Sequence, residues 1–185
     1  MPATAVHLPL DQTTIDALYA GDHVLLSGTL LTARDAAHKR LIETLERGGA
    51  LPVDLRGQVV YYVGPAPAKP GQPIGSAGPT TSGRLDPYTP ALLAVGMRGM
   101  IGKGYRSAEV REAIAQHGAV YFAALGGTGA LLARQITSVE VIAYSDLGTE
   151  AIHLLTVVDF PAIVVNDRYG NDAYQDALRE YGERS

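Results

Sequence analysis

The spacing of apolar positions predicts helices and strands that follow one another along most of the chain. Between residues 33 and 48, apolar side chains recur every three or four positions, as on one face of a helix, and two glycines end the pattern. Runs rich in β-branched and aromatic residues at 23–31 and 58–65 predict strands. By the same criteria, strands are predicted at residues 99–104, 119–125, 138–144, 152–160 and 162–167, and helices at 13–19, 126–134 and 169–184 and after caps at Asp86 and Ser107.

This alternation is typical of an α/β fold, with a mixed, largely parallel sheet flanked by helices. The length of 185 residues fits a single domain over residues 1–185. Residues 66–79 interrupt the pattern, because their prolines and glycines exclude both a helix and a central strand. We therefore expect an ordered loop there, and loops of this kind often carry function.

Composition narrows the classes of function. A formal net charge of −4 argues against a nucleic-acid partner. The chain has no cysteine, which excludes disulfides, thiolate nucleophiles and any iron–sulfur or zinc–thiolate site built from its own residues. No signal peptide and no membrane-spanning run is recognisable, so we expect a cytoplasmic protein without a membrane partner. The aspartates match no EF-hand spacing, and we predict no metal site in this chain.

The stretch GPTTSGR, residues 78–84, concentrates groups that bind anions. Gly78 and Gly83 can adopt positive φ and so turn backbone N–H groups into a concave nest. Thr80, Thr81 and Ser82 add hydroxyl groups. Arg84, at its end, adds a planar fork that matches a carboxylate or phosphate. Composition alone weighs this anion site equally against a plain turn with a surface salt bridge.

Two further cations and one histidine extend the candidate site. Lys103 lies between Gly102 and Gly104, which leave room for a ligand, although an exposed turn lysine is the favoured interpretation on its own. Arg34 stands at a predicted helix start, where the macrodipole disfavours a cation, and this placement suggests a shared anion. His38 shares the helix face of Arg34 and could orient a ligand, but we favour a helix-surface histidine.

Four long motifs together resemble the β subunit of class I, iron–sulfur-dependent fumarate hydratases and of L(+)-tartrate dehydratases. They are GPTTSGRLDPYTP, GMIGKGYRS, GGTGALLA and EAIHLLTVVDFPAIVVND. The resemblance runs from about Leu10 to the C-terminal helix. It implies a swivelling β/β/α domain, which is fused to a cluster-binding domain in some members and is a separate chain in others. A chain of 185 residues would match the separate form.

The resemblance also implies roles for particular residues. Thr80 matches a proposed general base, while Arg34, Arg84 and Lys103 match groups that bind the substrate carboxylates. His38, Gly78, Thr81, Ser82 and Gly83 are candidates for a surrounding layer. A [4Fe–4S] cluster is implied on a cysteine-bearing α subunit, with one iron open to substrate. A threonine hydroxyl is a poor base at neutral pH, so we expect its activating group on the α subunit.

Three functions stay open on the sequence. The first is reversible hydration of fumarate to L-malate by a complex of this chain with the α subunit. The second is the same chemistry on tartrate or on a methylated fumarate such as mesaconate, since a few side chains discriminate such dicarboxylates. The third is a non-catalytic anion-binding or scaffold module, because this chain has no self-sufficient catalytic set. An isolated β chain can also self-associate through apolar surface meant for its partner.

Overall fold

The computed structural model describes residues 3–125 and 127–182 as a curved sheet with helices packed on it. The strands are β1 (Thr4–Leu8), β2 (His23–Thr32), β3 (Val59–Tyr61), β4 (Gly99–Gly102), β5 (Val120–Ala123), β6 (Ile136–Ala143) and β7 (Ile152–Asn166). The helices are α1 (Gln12–Asp16), α2 (Asp35–Glu46), α3 (Thr89–Ala94), α4 (Ala108–His117), α5 (Gly129–Ala133) and α6 (Ala173–Gly182), with 3-10 helices at Ser82–Leu85 and Ser145–Glu150.

The seven strands lie in the order β1-β2-β3-β4-β5-β7-β6. Neighbours among β1 to β5 are parallel, whereas β7 is antiparallel to β2, β5 and β6. Because β7 pairs with both β5 and β2, the sheet closes on itself and is partly barrel-like. The predicted α/β fold with a mixed sheet flanked by helices is confirmed.

Two apolar layers hold this sheet. The layer inside the curve contains Leu26, Phe122 and Phe160, which are all fully buried. The layer outside it joins the sheet to Leu41 of α2 and Ile114 of α4. Helices therefore cover the outer face of strands β2 to β5, and the carboxyl ends of these parallel strands meet at one edge of the sheet.

The two strands predicted at residues 152–160 and 162–167 are one strand, β7. Pro161, which lies between the two predicted ranges, pairs with Leu25 inside the β2–β7 ladder. Asp159, two residues earlier, has a φ of 51° and its backbone N–H donates to Ser27 Oγ over 2.9 Å. The register shifts between Leu26 and Gly28, so the ladder has a bulge close to Asp159 and continues through Pro161 beyond it.

Other boundaries also differ from the predictions. Strand β1 was not predicted, because only Val6 and Leu8 of its five residues are buried and so short an alternation is a weak signal. The predicted helix at 13–19 is shorter, since Asp11 caps it and Ala17 ends it. The last helix begins at Ala173 instead of residue 169, and residues 183 and 184 of its predicted range lie outside the described part.

The predicted loop at residues 66–79 has no helix or strand. Ala66 N–H donates to Ser76 O over 2.9 Å and Gly75 N–H donates to Ala66 O over 3.1 Å, so the loop closes on itself. A Cβ on Gly75 would lie 2.4 Å from Pro67 O, which explains a glycine there. Gly126 of the turn predicted at 126–134 lies outside the described residues, and a short helix follows it as expected. No helix within residues 3–125 and 127–182 is long and apolar enough to cross a membrane.

Candidate active site

Two of the predicted site residues, Arg34 and Lys103, lie at the carboxyl edge of the parallel strands together with Gly64, which was not predicted. Arg34 lies two residues after β2, Gly64 three residues after β3, and Lys103 directly after β4. In sheets with parallel strands this edge is where ligands usually bind. Because β2, β3 and β4 are parallel to one another, their carboxyl ends all lie at this same edge.

The 78–84 segment is inserted between the ends of β3 and β4. Thr80 N–H donates to Tyr62 O over 2.7 Å, and Thr80 O accepts from Lys103 N–H at 3.3 Å. Ser82 N–H then donates to Lys103 O over 2.9 Å, and Thr81 forms a parallel bridge with Lys103. These bonds place Thr81 opposite Lys103 in the backbone ladder and Thr80 one residue before it, with the Thr80 side chain partly exposed.

The predicted backbone nest is wrong. Neither Gly78 nor Gly83 has a positive φ, and the segment runs extended into the 3-10 helix Ser82–Leu85. The amides of Thr80 and Ser82 already donate to carbonyl groups at the strand ends, so they are not available to an anion. Gly78 instead packs against Gly129, where a Cβ would lie 2.8 Å from Gly78 N.

The buried side chain of Ser82 holds the 78–84 segment against the sheet. Its Oγ lies 2.9 Å from the Tyr121 hydroxyl, which itself donates to Gly104 O over 2.9 Å. Burial raises the pKa of Tyr121, so this phenol keeps its proton for the bond to Gly104. A Cβ on Gly102 would overlap Ser82 Oγ, so Gly102 makes room for that hydroxyl. Ser82 is fully buried and is a structural support of the site.

Two of the predicted arginines share one carboxylate. Arg84 Nη2 lies 3.2 Å and Arg34 Nε lies 4.0 Å from Asp35 Oδ2. Glu150 lies on the other side, with Oε1 3.8 Å from Arg34 Nε and Oε2 accepting from Ala36 N–H at 2.9 Å. The anion expected at this helix start is therefore provided, in the unliganded chain, by its own carboxylates.

The third predicted cation, Lys103, is exposed. Within the described part of the chain, no carboxylate lies within 4.0 Å of its ammonium group. Arg84 is half exposed as well, with 50% of its side chain accessible. The edge thus presents two guanidinium groups and one ammonium group, an arrangement that attracts a small molecule with two negative charges.

His38 is buried, which corrects the expectation of a helix-surface histidine. It is fully inaccessible and its ring packs edge-on against Tyr62, at a centroid distance of 5.3 Å. Nδ1 lies 2.9 Å from Arg34 O, so the neutral ring donates there, while Nε2 has no partner among the described residues. Burial lowers the pKa of His38 to about 4. The ring faces inward because the helix is covered by the 78–88 region on that side.

This buried histidine predicts a pH dependence of stability. The pKa of His38 is about 4 in the folded chain, below its ordinary value of 6.5. As the pH falls, the unfolded chain therefore binds this proton at a higher pH than the folded chain does. The free energy of unfolding should therefore fall by roughly 1 kcal/mol per pH unit on acidification through this window. Urea titrations from pH 7 to pH 4 would measure this, and His38→Gln should flatten the slope.

The matched control is His23→Gln, at an exposed strand end. Burial also lowers the pKa of His153, so wild type and each variant must be compared at every pH. An unchanged slope in His38→Gln would contradict the assignment of the acid sensitivity to this residue.

A buried ion pair between Asp86 and Arg106, which was not predicted from the sequence, links two segments of the candidate site. Asp86 was predicted as a helix cap, but its Oδ1 accepts from Arg106 Nε at 2.7 Å and its Oδ2 from Ser107 N–H at 2.7 Å. Arg106 also donates to Thr89 Oγ1 over 2.7 Å, and its guanidinium lies over the Tyr121 ring. The pair ties the end of the 78–84 segment to the chain just after Lys103. Ser107 caps α4 as predicted.

The residues of this chain do not fit an iron–sulfur cluster. The sequence contains no cysteine, and no group of three or more His, Asp or Glu side chains with metal-binding geometry occurs in residues 3–125 and 127–182. Thiolates are the usual ligands of such clusters. If the site works with a cluster, another polypeptide segment must hold it.

Comparison with known proteins decides the family. A model of the Fumarase C-terminus family matches residues 3–177. This chain belongs to that family. The resemblance inferred from the four motifs is thus confirmed, and the motifs that carry the candidate site all lie inside the matched range.

Three relatives show how family members differ in length. The anaerobic class I fumarate hydratase of Escherichia coli (strain K12) is 42% identical over 157 residues, which are 84% of this chain and 29% of that protein. Fumarate hydratase 2 of Leishmania major is 41% identical over 160 residues, 85% of this chain and 28% of that protein. The putative L(+)-tartrate dehydratase subunit beta of Methanocaldococcus jannaschii is 35% identical over 181 residues, 95% of this chain and 93% of that protein.

The chain therefore spans less than a third of the two fumarate hydratases but almost the whole of the tartrate dehydratase subunit. Members of the family thus carry this segment in two arrangements, either as the smaller part of a long chain or as nearly a complete subunit. The names of these relatives describe enzymes that add or remove water at a dicarboxylate.

Proposed function

We propose that this chain is the substrate-binding β subunit of an iron–sulfur hydro-lyase, which hydrates fumarate reversibly to L-malate. The observation that carries the proposal is the meeting of Arg34, Arg84 and Lys103 at one edge of the sheet, beside Thr80. A dicarboxylate needs at least two cationic anchors, and this edge offers three. The family membership and the names of the relatives support the same chemistry.

We assign the two arginines to the substrate carboxylates, since a guanidinium pairs with a carboxylate through two parallel hydrogen bonds. Removing a proton from the carbon beside a carboxylate places negative charge on that group, and positive charge at Arg84 and Lys103 stabilises it. Asp35 now pairs with Arg84 only at a half-exposed position, so an incoming carboxylate can compete for the fork.

We assign the proton transfer to the Thr80 hydroxyl. Its backbone is fixed on both sides, by Tyr62 O and Lys103 N–H, which holds Cβ in place. No hydrogen bond of this hydroxyl to another side chain is found in residues 3–125 and 127–182. A hydroxyl needs a neighbouring group to act as a base. We therefore place the activating group on the partner polypeptide.

We assign the [4Fe–4S] cluster to a cysteine-bearing α subunit, because this chain has no cysteine. Exposed apolar side chains near the candidate site support a partner on this side. Tyr105 is 58% exposed two residues after Lys103, and Leu125, just after β5, is 63% exposed. The swivelling of this domain over the α subunit, its cytoplasmic location and its single-domain organisation remain predictions.

Dehydration of L(+)-tartrate is the second candidate. The observation that favours it is the 35% identity over 181 residues to the putative L(+)-tartrate dehydratase subunit beta of Methanocaldococcus jannaschii. Fumarate, L-malate and L(+)-tartrate are all four-carbon dicarboxylates that differ only at the two middle carbons. Assays of the assembled enzyme against all three, with mesaconate as a fourth, would identify the substrate.

The proposal predicts that the isolated chain has no hydratase activity and gains it on assembly. The expected result is no turnover of fumarate or tartrate by the chain alone, and turnover after anaerobic addition of a cysteine-bearing α chain with a reconstituted cluster. The ultraviolet absorbance of fumarate measures its hydration, and the ultraviolet absorbance of the oxaloacetate formed measures dehydration of tartrate. The control is an α chain whose cluster cysteines are replaced by serine. Full activity of this chain alone would contradict the proposal, as would tight fumarate binding with no activity in any complex.

A further inference from the structure

We propose that Gly64 and Glu150 are positioning residues that hold the guanidinium of Arg34 ready for a substrate carboxylate. The assignment of a substrate role to Arg34 rests on the proposed function, whereas the positioning itself rests on geometry. Gly64 lies outside the four motifs, and Glu150 is the first residue of EAIHLLTVVDFPAIVVND, where the resemblance implied no role for it. They reach Arg34 from β3 and from the segment before β7, on two sides of the side chain.

Gly64 provides the surface on which the guanidinium lies. A Cβ at this position would stand 2.8 Å from Arg34 Cδ and 3.2 Å from Cζ, and it would overlap Nη1. The φ of Gly64 is not positive, so the backbone does not need a glycine here. The space for the Arg34 side chain is therefore the reason that the structure offers for a glycine at residue 64.

Glu150 holds the opposite side by charge and through the helix start. Its Oε1 lies 3.8 Å from Arg34 Nε, too far for a hydrogen bond. Its Oε2 accepts from Ala36 N–H at 2.9 Å, a bond that a capping side chain at residue 34 would otherwise make. One carboxylate thus ties α2 to the 3-10 helix Ser145–Glu150 and faces the arginine that precedes α2.

The Arg34 guanidinium is therefore oriented without using its hydrogen-bond donors. Its Nε is buried and has no hydrogen-bond partner in the described residues, and no hydrogen bond of its guanidinium to a protein group is found there. The close fit against Gly64 and the negative charge of Glu150 fix the Arg34 guanidinium. Its terminal nitrogens make no hydrogen bond to a protein group in the described residues. Such pre-organisation strengthens binding because less freedom is lost when the ligand arrives.

The test is Gly64→Ala in the enzyme assembled with its α subunit. The new methyl group should push the Arg34 side chain aside and lower kcat/KM for fumarate at least about tenfold, because small displacements of a positioning group are costly. Most of the loss should appear in KM. The melting temperature should stay near that of wild type, since only a side chain has to move. Gly182→Ala, where a Cβ meets nothing within 4 Å among the described residues, is the control.

A double-mutant cycle separates positioning from a general structural effect. In an Arg34→Ala background the clash is absent, so Gly64→Ala should have no further effect on kcat/KM. Glu150→Gln keeps the acceptor for Ala36 N–H but loses the charge, and it should raise KM by up to about fivefold, again only while Arg34 is present. Equal effects of Gly64→Ala with and without Arg34 would overturn the inference.

A second readout needs neither activity nor the α subunit. In the isolated chain, the buried Nε–H of Arg34 should give a protected ¹⁵N resonance, and Gly64→Ala should abolish this protection. Persistence of the protected signal in Gly64→Ala would overturn the positioning roles, whatever the reaction is. If this resonance behaves as expected but no assembled enzyme turns over a dicarboxylate, the proposed function fails and the positioning stands.

Discussion

Replacing Arg84 with alanine is expected to lower kcat/KM for the dicarboxylate by about 10²- to 10³-fold, because a charge-assisted fork to a carboxylate is lost. The folded state should be almost unaffected. Half of the Arg84 side chain is exposed, and its ion pair with Asp35, at 3.2 Å, is a surface pair. Such pairs contribute at most about 1 kcal/mol to stability. Steady-state kinetics of the assembled enzyme and a urea titration measure the two quantities.

Arg56 offers a matched control for this experiment. It is also an exposed arginine in an ion pair, with Asp54 Oδ2 at 2.6 Å, but it precedes β3 and so lies at the opposite edge of the sheet. Arg56→Ala should leave kcat/KM unchanged. Arg84→Lys should recover only part of the activity, because an ammonium group cannot pair with both carboxylate oxygens in one plane. Wild-type kinetics in Arg84→Ala would remove this residue from the site.

Replacing Arg106 with alanine is expected to lower the free energy of unfolding by about 3–5 kcal/mol, because it leaves a largely buried carboxylate without its partner. The side chain of Arg106 is fully buried and that of Asp86 is 13% exposed. The loss also removes the hydrogen bond to Thr89 and the contact of the guanidinium with the Tyr121 ring. Chemical denaturation of wild type and variant would measure the change.

A cycle with Asp86→Ala tests the cause of that loss. If the unpaired charge dominates, the double variant should be less destabilised than the sum of the two single variants. Arg111→Ala is the comparison: its ion pair with Asp172, at 3.2 Å, is more exposed and should contribute much less. A loss below 1 kcal/mol in Arg106→Ala would contradict a stabilising role for the Arg106–Asp86 pair.

Local patterns were informative where the chemistry of a residue and its place in an element agreed. Arg34 at a helix start and Lys103 between two glycines were singled out from neighbours in sequence alone, and both lie at the edge where parallel strands end. Asp35 could have been found by the same argument, since an acidic first-turn residue beside Arg34 is a natural partner for it. Glu150 gave no such signal, because 116 positions separate it from Arg34 and only β7 brings it back.

Expectations that depended on a residue's surroundings were the ones that failed. His38 has the spacing of a surface position, but the 78–88 region covers it and its pKa falls with burial. Gly78 and Gly83 permit a nest, yet the amides between them pair with the ends of β3 and β4. Asp86 has the sequence context of a cap, and Arg106, twenty residues away, claims its carboxylate instead.

The sequence by itself determined the alternating α/β organisation, the family, the absence of thiolate ligands and the identity of the cationic residues. These follow from composition, local spacing and long motifs, which act between near neighbours in the chain. Only the tertiary structure decided that β7 closes the sheet onto β2, that Asp35 joins two arginines, and that Gly64 and Glu150 face Arg34. Such contacts depend on strand order and on the packing of distant segments, and no local pattern of side chains specifies them.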